Sequence, residues 1–314
     1  MAILEHLESR VRCVLRSRHL VGRSATAHLR LDEPMISGEH ATLRWNGRVW
    51  EIHDLASRNG TTLDGRRLAA GERATLARGA ILGFGKQGNR WQLVDDAAPV
   101  VMAVPDSGGE PRLAVDELLA LPDDERPDVV VYRDRAGEWI AEHLGKSMRV
   151  SDGARWLAGG QHWVLHLPEV AATTWDADRA ALGLQHITLR FAVTRDEEHV
   201  ELTAIVGGES IDLGSRAHLY VLLTLARARL ADRELAAQPA QASDAATARS
   251  HGWRYQDELA GMLGMDEQYL NVAVYRCRRQ LAALGIAGSA NIIERRMSSR
   301  QVRLGIDSVE IVTI

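Results

Sequence analysis

The fold of this chain is decided by three short polar stretches: Gly22-Arg23-Ser24, Ser37-Gly38-Glu39-His40 and Ser57-Arg58-Asn59-Gly60-Thr61. Each is placed at a turn between apparent β-strands. Arginine offers a charged fork that fits an oxyanion, while a serine hydroxyl and an asparagine amide add directed hydrogen bonds. Loops that bring these groups together form a small oxyanion-binding surface.

The residues around these stretches, 10–95, read as short strands separated by turn signals. Asn46-Gly47 is a strong hairpin signal because both positions tolerate positive φ. Asn59-Gly60 and Asp64-Gly65 repeat it. Many short strands with regular turns predict an all-β sandwich.

The order and spacing of the three stretches resemble the forkhead-associated (FHA) domain, a phosphothreonine-binding β-sandwich. The resemblance covers about residues 10–95. It implies that Arg23 and Ser37 contact the phosphate of a phosphothreonine. It also implies that Arg58 lies close to that phosphate and that Asn59 hydrogen-bonds the peptide backbone.

The same resemblance implies three supporting residues. His40 would fix the loops without touching the ligand, and Gly22 and Gly60 would serve the backbone geometry. Family members often carry a peptide-contacting polar residue after the serine, whereas this chain has Gly38. The peptide preference is therefore not implied by the resemblance.

Composition indicates a cytoplasmic multidomain protein. A chain of 314 residues with 46% hydrophobic and 25% charged residues fits two or three soluble domains. No apolar run approaches the roughly 20 residues that span a bilayer, and the first residues lack a signal-peptide core. Cys13 and Cys277 lie in different apparent domains, which excludes a disulfide framework and a metal-ligand spacing.

The net charge of −4 hides two opposite runs. Residues 105–127 hold seven acids and two arginines, whereas residues 268–306 hold seven arginines and one acid, Glu294. The basic run predicts a surface that faces a polyanion.

These patterns predict an all-β sandwich, a small β-rich middle module and an α+β winged helix. Tryptophans 139, 156 and 163 of the middle module either pack structurally or form a ligand surface. The predicted segments are an FHA domain at 1–96, an acidic Pro/Gly-rich linker at 97–127 with a short helix at 115–121, the β-rich module at 128–180, the winged helix at 187–306 with a flexible insertion at 231–250, and a C-terminal tail at 307–314.

The helix predicted at 267–284 carries the second informative pattern. One face is apolar at a 4-3-4-3 spacing, formed by Leu270, Val274, Cys277, Leu281 and Leu284. The other face and the following hairpin supply the candidate DNA-binding residues: Asn271, Val272, Tyr275, Arg276, Arg279, Arg295, Arg296 and Arg300. A helix that fits a major groove, flanked by arginines that hold phosphates, is what duplex DNA binding needs. The alternative is a solvated helix face.

Residues 187–306 resemble the OmpR/PhoB-type winged helix of response-regulator effector domains, most closely over 271–281. Three helices followed by a hairpin suit that family. The insertion at 231–250 and the wing end, Arg300-Gln-Val-Arg-Leu-Gly305, depart from its pattern. The resemblance implies a DNA-binding fold, not a particular operator.

The resulting hypothesis is a regulator of transcription that couples phosphothreonine recognition to binding of double-stranded DNA. Its partner would be a Ser/Thr kinase or a protein that such a kinase phosphorylates, and Thr173, Thr174 and Thr247 are candidate internal phosphosites. The alternative is a phospho-dependent adaptor whose winged helix binds protein. No phosphate loop, His-Glu-x-x-His motif or nucleophile elbow occurs, so neither catalysis nor a metal or other cofactor is expected.

Overall fold

The computed structural model describes residues 1–85, 89–168, 183–237 and 251–314. The chain forms two compact units, of which the first contains Met1–Val100. The second contains Val101–Leu167 and the described residues from 183 onward. The three candidate phosphosites and residues 238–250 of the predicted insertion lie outside the described residues.

The first unit is a β-sandwich of eleven strands. They are β1 (Ile3–His6), β2 (Arg12–Val14), β3 (Arg18–Gly22), β4 (Leu29–Arg30), β5 (Ala41–Trp45), β6 (Trp50–Asp54), β7 (Thr61–Leu63), β8 (Arg66–Arg67), β9 (Arg73–Leu76), β10 (Ile81–Phe84) and β11 (Arg90–Asp95).

Two sheets face each other in this sandwich, with strand orders β2-β1-β11-β10-β7-β8 and β4-β3-β5-β6-β9. Alternate residues of each strand point into the core, as a period of two requires. In β5 these are Ala41 and Leu43, and in β6 they are Trp50 and Ile52, all fully buried. The Asn46-Gly47 turn joins β5 to β6 as predicted, because Asn46 Oδ1 accepts from the Arg48 and Val49 amides at 3.0 Å.

Residues 101–167, which we call the middle β-module, hold eight strands. They are β12 (Met102–Pro105), β13 (Arg112–Leu113), β14 (Leu119–Leu121), β15 (Val129–Arg133), β16 (Trp139–His143), β17 (Lys146–Arg149), β18 (Arg155–Ala158) and β19 (Gln161–His166). They form two four-stranded sheets, β13-β12-β19-β18 and β14-β15-β16-β17, around a shared core. All three tryptophans pack in or against that core, which favours their structural interpretation.

The expected linker at 97–127 and its helix at 115–121 are corrected by these strands. Val115 and Leu118 exchange both backbone hydrogen bonds at 3.0 Å, which closes a tight turn. Asp116 and Glu117 inside that turn have φ values of 49° and 62°, which an α-helix excludes. The module therefore begins at Val101, not at residue 128.

The described residues from 183 onward, which we call the helical module, hold seven strands and three α-helices. They are β20 (Ile187–Val193), β21 (Val200–Val206), β22 (Glu209–Gly214), α1 (Leu219–Ala236), β23 (Arg254–Tyr255), α2 (Gln256–Met262), α3 (Glu267–Ala282), β24 (Ile293–Arg295), β25 (Gln301–Leu304) and β26 (Ser308–Thr313). Its sheets are β22-β21-β20-β26 and β23-β25-β24, and one apolar core joins both sheets to the helices.

Two predicted boundaries are corrected in this module. The expected tail at 307–314 contains β26, which pairs in parallel with β20 and places Ile311 beside Phe191. The expected flexible insertion at 231–250 begins as helix, because α1 continues to Ala236. No helix among the described residues is both long enough and apolar enough to cross a bilayer.

Candidate functional site

Three loops of the sandwich are tied together around Ser37. The Arg23 amide donates to Ser37 O at 2.9 Å, and the Ser24 amide donates to Gly38 O at the same distance. From the third loop, the Arg58 amide donates to Ser37 Oγ at 3.1 Å. The loops that carry the predicted site therefore meet at one serine.

Arg23 and Arg58 present two exposed guanidinium groups at this meeting point. Arg23 Nε donates to Ile36 O at 3.3 Å, which leaves its terminal nitrogens for another acceptor. No ion pair joins either arginine to an acidic side chain that the structure describes. Ser37 Oγ accepts from Arg58 and keeps its own hydrogen for donation. The arrangement suits a ligand with several acceptor oxygens and negative charge.

Asn59 lies half-buried beside them. Its Nδ2 donates to Met35 O at 2.8 Å, which holds the third loop against the second. An amide group has two N–H hydrogens and one oxygen. One hydrogen and Oδ1 therefore remain for a ligand, as recognition of a peptide backbone requires.

His40 is the fully buried centre of the loop arrangement. Its Nδ1 accepts from the Ser37 amide at 3.1 Å, so its Nε2 carries the hydrogen that is donated to Gly60 O at 3.2 Å. Burial lowers the pKa of His40, although the bond to Gly60 and the charge of Asp54 oppose the shift. The neutral ring links two loops through its two nitrogens.

Asp54 is a site residue that the sequence reasoning missed. Its carboxylate is buried and accepts from the hydroxyls of Ser57 and Thr61 at 2.6 Å and from the Ser57 amide at 3.1 Å. Burial raises its pKa, but these hydrogen bonds outweigh burial and the net pKa is lowered. An aspartate three residues before a loop serine is a recognisable Asx-type signal. The charged carboxylate shapes the loop that carries Arg58 and Asn59.

Both predicted glycines are constrained, Gly22 by a close backbone contact and Gly60 by its backbone conformation. A Cβ on Gly22 would lie 2.1 Å from Gly38 O, so a side chain there would separate the first two loops. Gly60 has a φ of +84°, and a Cβ there would lie 2.5 Å from Arg67 Nε. A Cβ at Gly38 meets no atom within 4 Å, so this position is open.

The candidate DNA-binding residues are in part buried, which corrects the expectation that they form one basic surface open to DNA. Tyr275 is 1% exposed and its hydroxyl donates to Asp124 Oδ1 at 2.5 Å. The Arg295 side chain is 2% exposed and lies 3.0 Å from Glu142. Arg279 is paired with Asp124 at 2.6 Å. The physical reason is that the middle β-module packs on this face of α3.

The remaining candidates of this group differ in their surroundings. Asn271 Oδ1 accepts from Arg295 at 2.9 Å, and Val272 is half-buried. Arg300 pairs with Glu267 at 2.5 Å, and Arg296 lies over the Trp253 ring at 4.3 Å. Arg276 is exposed on α3. These residues do not form one continuous open surface.

The comparisons with known proteins bear on the first unit. The model of the FHA domain family matches residues 19–85, which contain all four candidate phosphate and peptide ligands. Among solved structures, an FHA domain studied for its phosphothreonine-dependent interactions is 24% identical and covers 31% of this chain and 98% of that chain, with a TM-score of 0.28.

Two further structures show the same extent of similarity. The FHA domain of the CT664 protein from Chlamydia trachomatis is 27% identical over 31% of this chain and 98% of that chain, with a TM-score of 0.28. Mycobacterium tuberculosis EmbR, in complex with a low-affinity phosphopeptide, is 22% identical over 31% of this chain and 25% of that chain, with a TM-score of 0.28. No curated protein matches this chain. The family match together with the sandwich and its loops shows that residues 19–85 are an FHA domain.

Proposed function

We propose that this protein is a phosphothreonine-dependent signalling protein whose FHA domain binds a phosphorylated partner. The observation that carries the proposal is the pair of exposed arginines, Arg23 and Arg58, on loops that meet at Ser37. A phosphate on threonine carries about 1.5 to 2 negative charges at neutral pH and offers three acceptor oxygens. The partner would be a Ser/Thr kinase or one of its substrates, because such a kinase makes this ligand.

The free hydrogen-bonding groups suggest a role for each residue. Arg23 and the Ser37 hydroxyl would donate to the phosphate oxygens, and Arg58 would add charge beside them. Asn59 would bind the peptide backbone through the amide hydrogen and Oδ1 that are not used within the loops. His40, Gly22 and Gly60 would hold these groups in place. All these contacts serve to bind the phosphopeptide.

Calorimetric titration of the full chain with a phosphothreonine peptide library tests this proposal. Arg23→Ala should abolish measurable binding, since it removes the charged fork. Arg48→Ala is the matched control, because Arg48 is an exposed arginine in the turn at the opposite end of β5. Equal affinity for phosphorylated and unphosphorylated peptides would overturn the assignment.

We further infer that the helical module is a winged helix that binds double-stranded DNA, which would make the protein a transcriptional regulator. In support, α1, α2 and α3 precede a β24–β25 hairpin, and the short β23 between α1 and α2 pairs with β25. Arg276 on α3 and Arg296 and Arg300 in the hairpin turn are exposed. Exposed arginines at a helix and a wing can contact phosphates on both sides of a groove.

The alternative is an adaptor that uses the helical module to bind protein. The burial of Tyr275 and Arg295 against the middle β-module favours it, because a face already occupied by protein is suited to protein contact.

Duplex binding at several salt concentrations separates the two functions. DNA binding predicts that Arg276→Ala weakens the affinity and lowers the salt slope by about one. Arg195→Ala, an exposed arginine in the β20–β21 turn, is the control. Absence of salt-sensitive duplex binding, with and without phosphopeptide, would exclude the DNA-binding function and leave the adaptor as the proposal.

A further inference from the structure

Three strands of the middle β-module, β14, β15 and β16, are buried on both faces of their sheet. Val129 and Val131 face the core of the module itself. Val130 and Tyr132, on the opposite face of the same strand, pack with Tyr275 of α3 and with Ala290. The second face of this sheet is therefore a contact surface for the helical module, which we call the module interface.

One carboxylate is the polar centre of the module interface. Glu142 of β16 accepts two hydrogen bonds from Arg278 at 2.8 and 3.0 Å and lies 3.0 Å from Arg295 Nε. The Tyr132 hydroxyl donates to the same carboxylate at 2.6 Å. Burial alone raises the pKa of Glu142, but the two arginines outweigh burial and lower it. Glu142 is therefore ionised at neutral pH.

The charges of this cluster do not balance. Two buried guanidinium groups face one carboxylate, and the tyrosine is neutral because burial raises its pKa. Arg295 Nη1 and Arg278 Nε are buried without a hydrogen-bond partner among the described residues. A buried ion pair often contributes little net stability, and an unmatched buried charge is unfavourable. The cluster specifies the contact but leaves positive charge that an external anion would stabilise.

A second acid extends the contact toward the surface. Asp124 accepts from Tyr275 Oη and pairs with Arg279 at 2.6 Å, and its side chain is 41% exposed. Asp116 accepts from Ser289 at 3.3 Å. Carboxylates of the middle β-module thus accept the hydrogen bonds and form the ion pairs that the phosphate groups of a polyanion could form with the same side chains.

We propose that the middle β-module is an intramolecular acidic partner that covers the basic face of α3 and β24, and that it separates from this face when a polyanion binds. This inference rests on the proposed DNA-binding function for the identity of the polyanion. Separation would expose Tyr275, Arg279 and Arg295 together. It would also relieve the unmatched charge at Arg278 and Arg295, because duplex phosphates outnumber the single carboxylate that they replace.

Hydroxyl-radical footprinting of the full chain measures the separation directly. Tyr132 and Tyr275 are 4% and 1% exposed, whereas Tyr269 on α3 is 47% exposed and serves as an internal reference. Tyr132 belongs to the middle β-module, so bound DNA on α3 would not shield it. We expect low oxidation of both buried tyrosines in the free wild-type protein, and a severalfold rise at Tyr132 when labelled duplex DNA is added.

Two variants weaken the interface without DNA. Glu142→Gln removes the central charge, and Asp124→Asn removes the half-exposed one. Both should raise Tyr132 oxidation severalfold and tighten duplex binding about tenfold, within the usual range of coupling between sites. Glu138→Gln is the control, since Glu138 is an exposed acid in the β15–β16 turn of the same module.

The outcomes separate this inference from the DNA-binding function. Raised oxidation with tighter duplex binding supports both. Raised oxidation in the variants without any duplex binding keeps the separable interface and removes the DNA function. Unchanged oxidation at Tyr132 in both folded variants would overturn the inference whatever the duplex affinity. Thermal melts identify a variant that fails to fold. If Glu142→Gln fails to fold, the oxidation of Tyr132 in Asp124→Asn tests the inference, because the loss of a half-exposed charge costs little stability.

Discussion

The Ser37 hydroxyl has two functions at the candidate site, one for its oxygen and one for its hydrogen. Its oxygen accepts from the Arg58 amide at 3.1 Å and so joins two loops. Its hydrogen is left for the ligand. Because Arg58 is exposed, water can replace the serine oxygen at its amide. The structural function is therefore replaceable, whereas the donation to a charged ligand is not.

Ser37→Ala should consequently reduce phosphopeptide affinity much more than stability. A hydrogen bond to a charged group contributes roughly 1.5–3 kcal/mol, which corresponds to a loss of about tenfold or more in affinity. The free energy of unfolding should fall by about 1 kcal/mol or less. Calorimetry and urea unfolding measure the two quantities, with Ser17→Ala as a control at the far end of the same sheet. Unchanged phosphopeptide affinity would exclude Ser37 from the site.

The sequence predicts some of these residues better than others for a physical reason. Arg23, Ser37, Arg58 and Asn59 could be proposed because polar residues cluster at predicted strand ends in an order that resembles the FHA domain. The burial of Tyr275 was not predicted, because helical periodicity shows on which face of a helix a residue lies but not which other element covers that face. Its partner Asp124 lies 151 positions away in the chain. Such a pairing depends on the tertiary fold.

At the scale of elements, the start of α3 depends on one side chain. Asp266 is its N-cap, and its Oδ1 accepts from the Tyr269 amide at 2.6 Å. Asp266→Ala should lower the free energy of unfolding by about 1 kcal/mol, because the first-turn amide loses its acceptor. Asp266→Asn keeps an acceptor and should remain within a few tenths of a kcal/mol of wild type. Urea unfolding of the full chain distinguishes them, and equal losses in both variants would show that charge, not capping, is responsible.

The connection between β3 and β4, which carries Arg23, predicts a dependence on pH. His28 Nδ1 accepts from the Leu20 amide at 2.9 Å, and part of the side chain is exposed. Partial burial of the ring, helped by the charge of Arg16, lowers the pKa of His28 to about 4. An unfolded histidine has a pKa of about 6.5. The unfolded chain therefore binds the proton first, so this contribution to stability is complete above about pH 6.5 and is lost as the pH falls toward 4.

Thermal melts between pH 7 and pH 4 should show this loss, and His28→Gln should reduce its slope. His53→Gln, a substitution in β6 of the same sheet, is the matched control. NMR titration of the His28 ring gives the pKa directly. A titration midpoint near 6.5 would contradict the predicted burial effect.

Element prediction succeeded where periodicity was clear and failed where it was short. The helix α3 begins at its predicted first residue and ends two residues before its predicted end at 284. The prediction of a helix at 115–121 was wrong. In a segment of seven residues, the apolar pattern of a helix cannot be distinguished from that of a turn followed by a buried strand. The run Val129-Val130-Val131-Tyr132 did contain an unused signal. Four consecutive apolar residues in a strand indicate that both faces are covered.

At the scale of the whole chain, the acidic run and the basic run of the sequence partly neutralise each other. The acids of 105–127 and the arginines of 268–306 belong to one compact unit, in which Asp124 meets Arg279. The sequence shows both runs but not that they are in contact, because the contacts join residues more than a hundred positions apart. The positive charge of a basic run that predicts a polyanion-binding surface can thus be neutralised by acidic residues of the same protein.

If phosphothreonine recognition controls the helical module, binding of the two ligands must be linked in both directions. A phosphopeptide that raises duplex affinity by some factor requires that the duplex raises phosphopeptide affinity by the same factor. We expect a factor of about 5 to 150, the usual range for linked sites. Anisotropy titrations of labelled duplex, with and without saturating phosphopeptide, give one factor, and calorimetry of phosphopeptide with and without duplex gives the other.

Arg23→Ala should lose the response because the phosphate then lacks its charged fork, and the unphosphorylated peptide should produce no response. Unchanged affinity in both titrations would show that recognition and output are energetically independent, and the two binding activities would then be joined only by the chain that carries them.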